Sequence, residues 1–86
     1  MTIWKFPLEI KDTQVIQMPA FPQILSCMMQ DNRLTVWALV NEKHRKYGQV
    51  FNIVGTGHPA GSGLGRFIAS VQDGPFVWHV FDGGPA

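Results

Sequence analysis

The 86-residue chain is 45% hydrophobic and 15% charged, with nine Gly, six Pro, one Cys and a formal net charge of +1. So short a polypeptide excludes a two-domain enzyme or a complete βαβ nucleotide fold, and predicts a single β domain over residues 1–86. The charged fraction lies below the roughly 25% usual for soluble domains, so too few ions remain to coat a lone copy, and a homo-oligomer is expected.

The small net charge, with only one basic cluster, argues against nucleic acid as a partner. Cys27 has no second cysteine, so neither an intrachain disulfide nor a cysteine metal cluster is expected, and the cytoplasm is the default location. No run of about 18 apolar residues occurs, and Lys5 and Pro7 interrupt the N-terminal stretch, so neither a membrane span nor a signal peptide is expected.

In chain order, Ile3 to Ile10 reads as a strand whose Pro7 assigns it to a sheet edge. Thr13 to Met18 follows, and Pro19-Ala20-Phe21-Pro22 breaks the chain before Gln23 to Gln30. Asp31-Asn32 predicts a two-residue hairpin into Arg33 to Val40, because both residue types tolerate positive φ. Asn41 to Gly48 reads as an exposed loop before the strand Gln49 to Val54. Gly55 to Gly65 reads as a second, more pliable loop, since five of its eleven residues are Gly. Arg66 to Gln72 and Phe76 to Phe81 form a last hairpin through Asp73-Gly74-Pro75, and Asp82 to Ala86 reads as a small-residue tail. About six to seven short strands without a helix predict an all-β fold, a compact antiparallel sandwich or small barrel.

A strand with one wet face should alternate apolar and polar residues. Leu34 to Val40 instead carries Leu34, Val36, Ala38 and Val40 on one face and Thr35, Trp37 and Leu39 on the other. Phe76 to Phe81 does the same. A small sandwich has one interior layer, so the second apolar face is expected to meet another copy, the alternative being coverage by turns of the same chain.

Two loops concentrate the candidate ligand-binding residues. Glycines let backbone N–H groups converge on an anion, and Gly55, Thr56, Gly57 and His58 form the start of such a loop. The loop lacks the Gly-Lys-Ser/Thr of a phosphate-binding P-loop and opens no helix, which excludes Walker and Rossmann readings. Lys43, His44, Arg45 and Lys46, followed by Tyr47, make the one cationic focus, to which Arg66 could add. Arginine suits bidentate phosphate contacts, lysine a point charge, and tyrosine a stacking face for a base. A plain solvated loop is the competing reading for each segment.

His44, His58 and His79 lack metal-site spacing, so no metal and no cofactor is expected. Cys27 with His79, or Thr56 with His58, can be paired as nucleophile and base, but no spacing rule supports either, and no catalytic residue is assigned. Trp4, Trp37 and Trp78 read as core or interface, and Cys27 as a small core hydrophobe.

The segments Trp4-Lys5-Phe6-Pro7-Leu8-Glu9-Ile10, Trp37-Ala38-Leu39-Val40, Ile53-Val54-Gly55-Thr56-Gly57-His58-Pro59 and Phe76-Val77-Trp78-His79-Val80-Phe81 occur in an order that resembles small uncharacterised proteins of tailed bacteriophages and prophages. The resemblance implies a phage protein in the host bacterial cytoplasm and carries over no activity or site residue. Together with the two loops it leads to the expectation of a non-enzymatic homo-oligomer that sequesters a small phosphorylated ligand such as a cyclic nucleotide, an immune second messenger. The alternatives are a protein-interaction module, either an inhibitor of a host protein or a virion accessory, and a small hydrolase that uses His58 or His44 as acid or base.

Overall fold

Short apolar runs bounded by turn residues become seven strands and no helix in the computed structural model, which describes all 86 residues. They are β1 (Thr2–Pro7), β2 (Thr13–Pro19), β3 (Gln23–Gln30), β4 (Arg33–Val40), β5 (Lys46–Gly55), β6 (Arg66–Asp73) and β7 (Phe76–Pro85). All pairings are antiparallel, in a three-stranded sheet of order β1-β4-β3 and a four-stranded sheet of order β2-β5-β7-β6. The fold is thus all-β as expected and, of the sandwich and the small barrel, is the sandwich. No helix is long and apolar enough to cross a membrane.

The two sheets bury a layer drawn from alternate positions. Leu34 and Val36 of β4 meet Phe51 and Ile53 of β5 and Val80 of β7, with Leu8, Met18, Cys27 and Val71 completing the cluster. Phe51 and Val36 are fully buried. Burying a side chain such as Phe51 contributes about 2–3 kcal/mol of transfer free energy, and truncating it to Ala would cost about 3–5 kcal/mol once the cavity is included.

Local chemistry sets the turns. Asp31 and Asn32 both adopt positive φ, 51° and 61°, which matches the twist of the β3–β4 hairpin. β1 is an edge strand, as Pro7 requires, but it stops there instead of reaching Ile10. Leu8 turns into the core, where its N–H donates to the Leu34 carbonyl at 2.8 Å. The Gln14 side chain then clamps Glu9 through both backbone groups, at 3.0 and 2.8 Å.

Two strands are longer than their composition suggests. β5 begins at Lys46 rather than Gln49, because Met18 and Pro19 at the end of β2 supply partners for Tyr47 and Lys46. Lys46, Tyr47 and Gly48 therefore belong to a strand and not to a loop. β7 continues through the supposed tail to Pro85, since β5 offers it Val50 and Gln49 as partners across a bulge. Pairing with a long neighbour overrides the weak strand propensity of Asp82-Gly83-Gly84.

The second apolar layer is partly covered by the chain itself. Asn52, on the outer face of β5, is only 8% exposed because its amide donates to the Leu64 carbonyl at 2.7 Å while its oxygen accepts from the Thr13 hydroxyl at 2.8 Å. The Gly-rich segment is thereby laid against the four-stranded sheet. The outer face of the three-stranded sheet has no such cover: Trp37 and Leu39 are half-buried there, with Ile3 and Met28 exposed beside them.

Candidate functional site

At the end of the sandwich where β2 crosses to β3, Phe21 is 88% exposed and holds a φ of 58°. A bulky residue in the left-handed region is uncommon, costs about 1–2 kcal/mol, and persists only where its surroundings impose it. Those surroundings are the residues before β5. Ala20 N–H donates to the Arg45 carbonyl at 2.9 Å, and the His44 Nδ1–H donates to the Ala20 carbonyl at 3.0 Å. The His44 ring also meets Phe21 edge to face at 5.8 Å. Its Nε2 then accepts the longer contact from the Asn41 amide, 3.4 Å away. His44 is accordingly a strut that sets the Phe21 turn, with both nitrogens engaged.

Phe21 and Tyr47 flank a cleft of about 380 Å³, whose walls include Met18, Pro19, Pro22 and Gln49. Tyr47 is more than half exposed and is paired with Met18, so its ring lies on the same face as the core side chain below it. Gln49 donates to Asp82 at 2.7 Å, which fixes the polar floor. The cleft is therefore apolar in body, with two aromatic side chains at its mouth.

Lys43, Arg45 and Lys46 sit on the segment that leads into Tyr47, and none has a carboxylate within ion-pair distance. The one acid of the segment, Glu42, is engaged elsewhere. It accepts from the Thr2 hydroxyl at 2.8 Å and lies 3.9 Å from the N-terminal amine. That Thr2 bond holds the Glu42 carboxyl below its usual range. Arg66 opens β6 opposite Asp82 and lines a neighbouring cleft of about 280 Å³ that shares Pro22 with the first. Arg66 thus lines the cleft beside Pro22, and Arg45 reaches the Phe21 turn through its backbone carbonyl.

The remaining candidates lie elsewhere. Gly55 ends the strand that Lys46 begins, so the start of the Gly-rich loop stands about 30 Å from Lys46 along β5 at roughly 3.3 Å per residue, while its far end returns to Asn52 and Asp82 through Leu64 and Gly65. Within one chain only the far end of the Gly-rich loop, at Gly65, comes near the Phe21–Pro22 corner, through Arg66. His58 folds back through its N–H to the Gly55 carbonyl at 3.0 Å, and its ring packs on Trp78 at 6.4 Å. Gly55 is needed for that approach, because a Cβ there would strike the His58 ring and Trp78. Thr56 does not bond to His58. Its hydroxyl lies 2.7 Å from Nε2 of His79, whose Nδ1 is 2.8 Å from the Ser70 hydroxyl.

Two features escaped the sequence reading. Phe21 looked like punctuation between two prolines; an aromatic in a turn, where no core can take it, was the available signal. The Ser70–His79 pair follows from closing the last hairpin through Gly74 and Pro75, which sets the two residues opposite each other. Cys27 behaves as the core hydrophobe expected, 5% exposed, with burial pushing its thiol up to about 12.

Fold and site together define a small two-sheet β-sandwich with an apolar cleft flanked by Phe21 and Tyr47 at one end. The chain belongs to the family described as Domain of unknown function (DUF7352), which it matches over residues 1–86. Neither the curated proteins nor the solved structures contain a match.

Proposed function

We propose that the protein binds a small phosphorylated ligand of the nucleotide class at the Phe21–Tyr47 cleft and holds it without turnover. One observation carries this reading: a cleft whose mouth is two exposed aromatic rings is entered by the segment that brings Lys43, Arg45 and Lys46, free of carboxylate partners, directly before Tyr47. Such a site suits a ligand with an aromatic base to stack and phosphates to pair. The strained φ of Phe21 adds to it, since strain collects where a side chain must be presented.

The resemblance to phage proteins suggests a setting in the host bacterial cytoplasm, acting as a sponge for immune nucleotides. A homo-oligomer, joined through the uncovered face of the three-stranded sheet, completes the proposal. Isothermal titration with cyclic dinucleotides and cyclic ADP-ribose isomers tests it. The expected result is salt-sensitive binding, weakened about tenfold or more by Arg45→Ala, with the ligand recovered intact on chromatography after denaturation. Flat heats for every compound overturn it.

A second reading is favoured by a different observation: Ile3, Leu25 and Met28 are exposed on or beside the sheet face that also shows Trp37 and Leu39. That surface would suit a protein partner, as an inhibitor or virion accessory would need. Recovery of one stoichiometric partner that Met28→Lys abolishes and Arg45→Ala leaves untouched would select this reading over the first.

A further inference from the structure

On the outer face of the four-stranded sheet, three side chains join into one hydrogen-bonded line. Ser70 and His79 are direct cross-strand partners on β6 and β7, and Thr56 is held beside them because its N–H donates to the Val77 carbonyl at 3.1 Å. The His79 ring is fixed at both ends, with Thr56 Oγ1 at 2.7 Å from Nε2 and Ser70 Oγ at 2.8 Å from Nδ1. A neutral imidazole accepts at one nitrogen and donates at the other. In the tautomer whose Nδ1–H donates to Ser70, Nε2 is the acceptor for the Thr56 hydroxyl, which is the relation of a nucleophile to its general base oriented by a third group. Thr56 and Ser70 are exposed and His79 is half-buried.

Two further features fit a reaction at Thr56. The next residue, Gly57, has a φ of 86° and open space on its Cα, and its N–H makes no hydrogen bond within the chain. An N–H directly after the nucleophile is a recurring donor to the oxyanion of acyl transfer. On the same sheet face, two residues along β7 from His79, Phe81 meets Phe67 edge to face at 5.7 Å, and Phe67 is more than half exposed. The pair forms an apolar shelf about 7 Å from the imidazole.

We infer that Thr56, His79 and Ser70 form an acyl-transfer site for esters with an apolar acyl group, separate from the cleft at the other end of β5. Thr56 Oγ1 attacks the ester carbonyl carbon as Nε2 of His79 takes its proton, and the Gly57 N–H faces the resulting oxyanion. Collapse breaks the bond to the alcohol oxygen, which receives the proton from His79, and the acyl group stays on Thr56. Water then attacks that ester by the same route: its proton passes through His79 to Thr56 Oγ1, and the carboxylic acid leaves. Ser70 is a positioning residue that holds the orientation of the ring through its contact at Nδ1.

The full chain incubated with p-nitrophenyl butyrate tests this, reading p-nitrophenol release together with peptide mapping of the butyryl group. The expected result is a butyryl group on the Thr56 peptide, with release reduced roughly 100-fold or more in Thr56→Val and His79→Gln and retained in Thr56→Ser. Ser70→Ala should leave Thr56 acylation detectable while shifting the pH profile of its rate. Circular dichroism melts show whether each variant is folded, and Thr56→Ser keeps the test decisive if Thr56→Val is not. Label confined to lysines or the N-terminal amine, or release unchanged in folded His79→Gln, overturns the proposal.

Discussion

Lys46 and Gly55 are the two ends of one strand, so the cationic segment and the Gly-rich segment leave β5 in opposite directions. A ligand of nucleotide size bound at one end does not touch the other within a chain. Substitutions at the two ends should therefore act independently. In a monomeric preparation Arg45→Ala is expected to weaken nucleotide binding and Gly61→Ala to leave it unchanged, alone or combined, measured by a double-mutant cycle in titration calorimetry. A coupling above about 0.5 kcal/mol would mean that a second copy brings the Gly-rich loop to the cleft.

The backbone of Phe21 makes a sharper prediction. Glycine adopts its φ of 58° without strain, and an 88% exposed ring contributes little burial to lose. Relief of about 1–2 kcal/mol outweighs the greater backbone entropy of glycine, about 0.5–1 kcal/mol. Phe21→Gly is expected to keep or raise the stability in urea denaturation while weakening ligand binding. A loss of more than about 1 kcal/mol would show that the ring serves the fold instead.

Glycines of the long loop should respond unequally to alanine. At Gly65, φ is 100° and a Cβ would collide with the carbonyl of Asp82, so Gly65→Ala is expected to cost several kcal/mol in chemical denaturation. Gly61 has neither a positive φ nor a neighbour within 4 Å. There the same substitution should be neutral or stabilising by about 0.4–1 kcal/mol.

Asn52 holds that loop in place through Leu64 and Thr13. Asn52→Ala leaves the Thr13 hydroxyl and the Leu64 carbonyl to find water, at about 1–3 kcal/mol. Residues 56–65 should then become a site of limited proteolysis under native conditions. Mass spectrometry of the fragments identifies the cut, and cleavage elsewhere would contradict the role given to Asn52.

Stability should also fall in alkali, for a reason seated in the core. Burial raises the Cys27 thiol from 9.0 to about 12, so the folded chain keeps a proton that the unfolded chain releases. The contribution is complete below about pH 9 and is lost as pH rises toward 12, because the unfolded form binds fewer protons across that window. Thermal melts from pH 8 upward should show a decline that is shallower in Cys27→Ala, even though that variant starts less stable.

Much of the architecture was legible in the residue pattern, and the gaps have physical causes. Asp31-Asn32 announced its hairpin because the turn chemistry is local, and Pro7 announced an edge because a missing N–H is local too. Lys46 to Gly48 and Asp82 to Pro85 read as irregular because their own side chains do not favour a strand; only a distant partner strand pairs them. The same division runs through the sites. The cation cluster is contiguous in sequence and could be named, whereas Thr56, Ser70 and His79 meet through two different strand pairings. Phe21 was hidden for another reason: a strained φ is imposed by His44 and Arg45, more than twenty residues away.

Cys27 is the only thiol in the molecule and lies in the middle of its interior. An alkylating reagent added to the native protein therefore waits for the sheets to part before it can react. The rate of that single modification is a clock for spontaneous opening, readable by mass without any added label, and a ligand seated between Phe21 and Tyr47 would slow it in proportion to its occupancy.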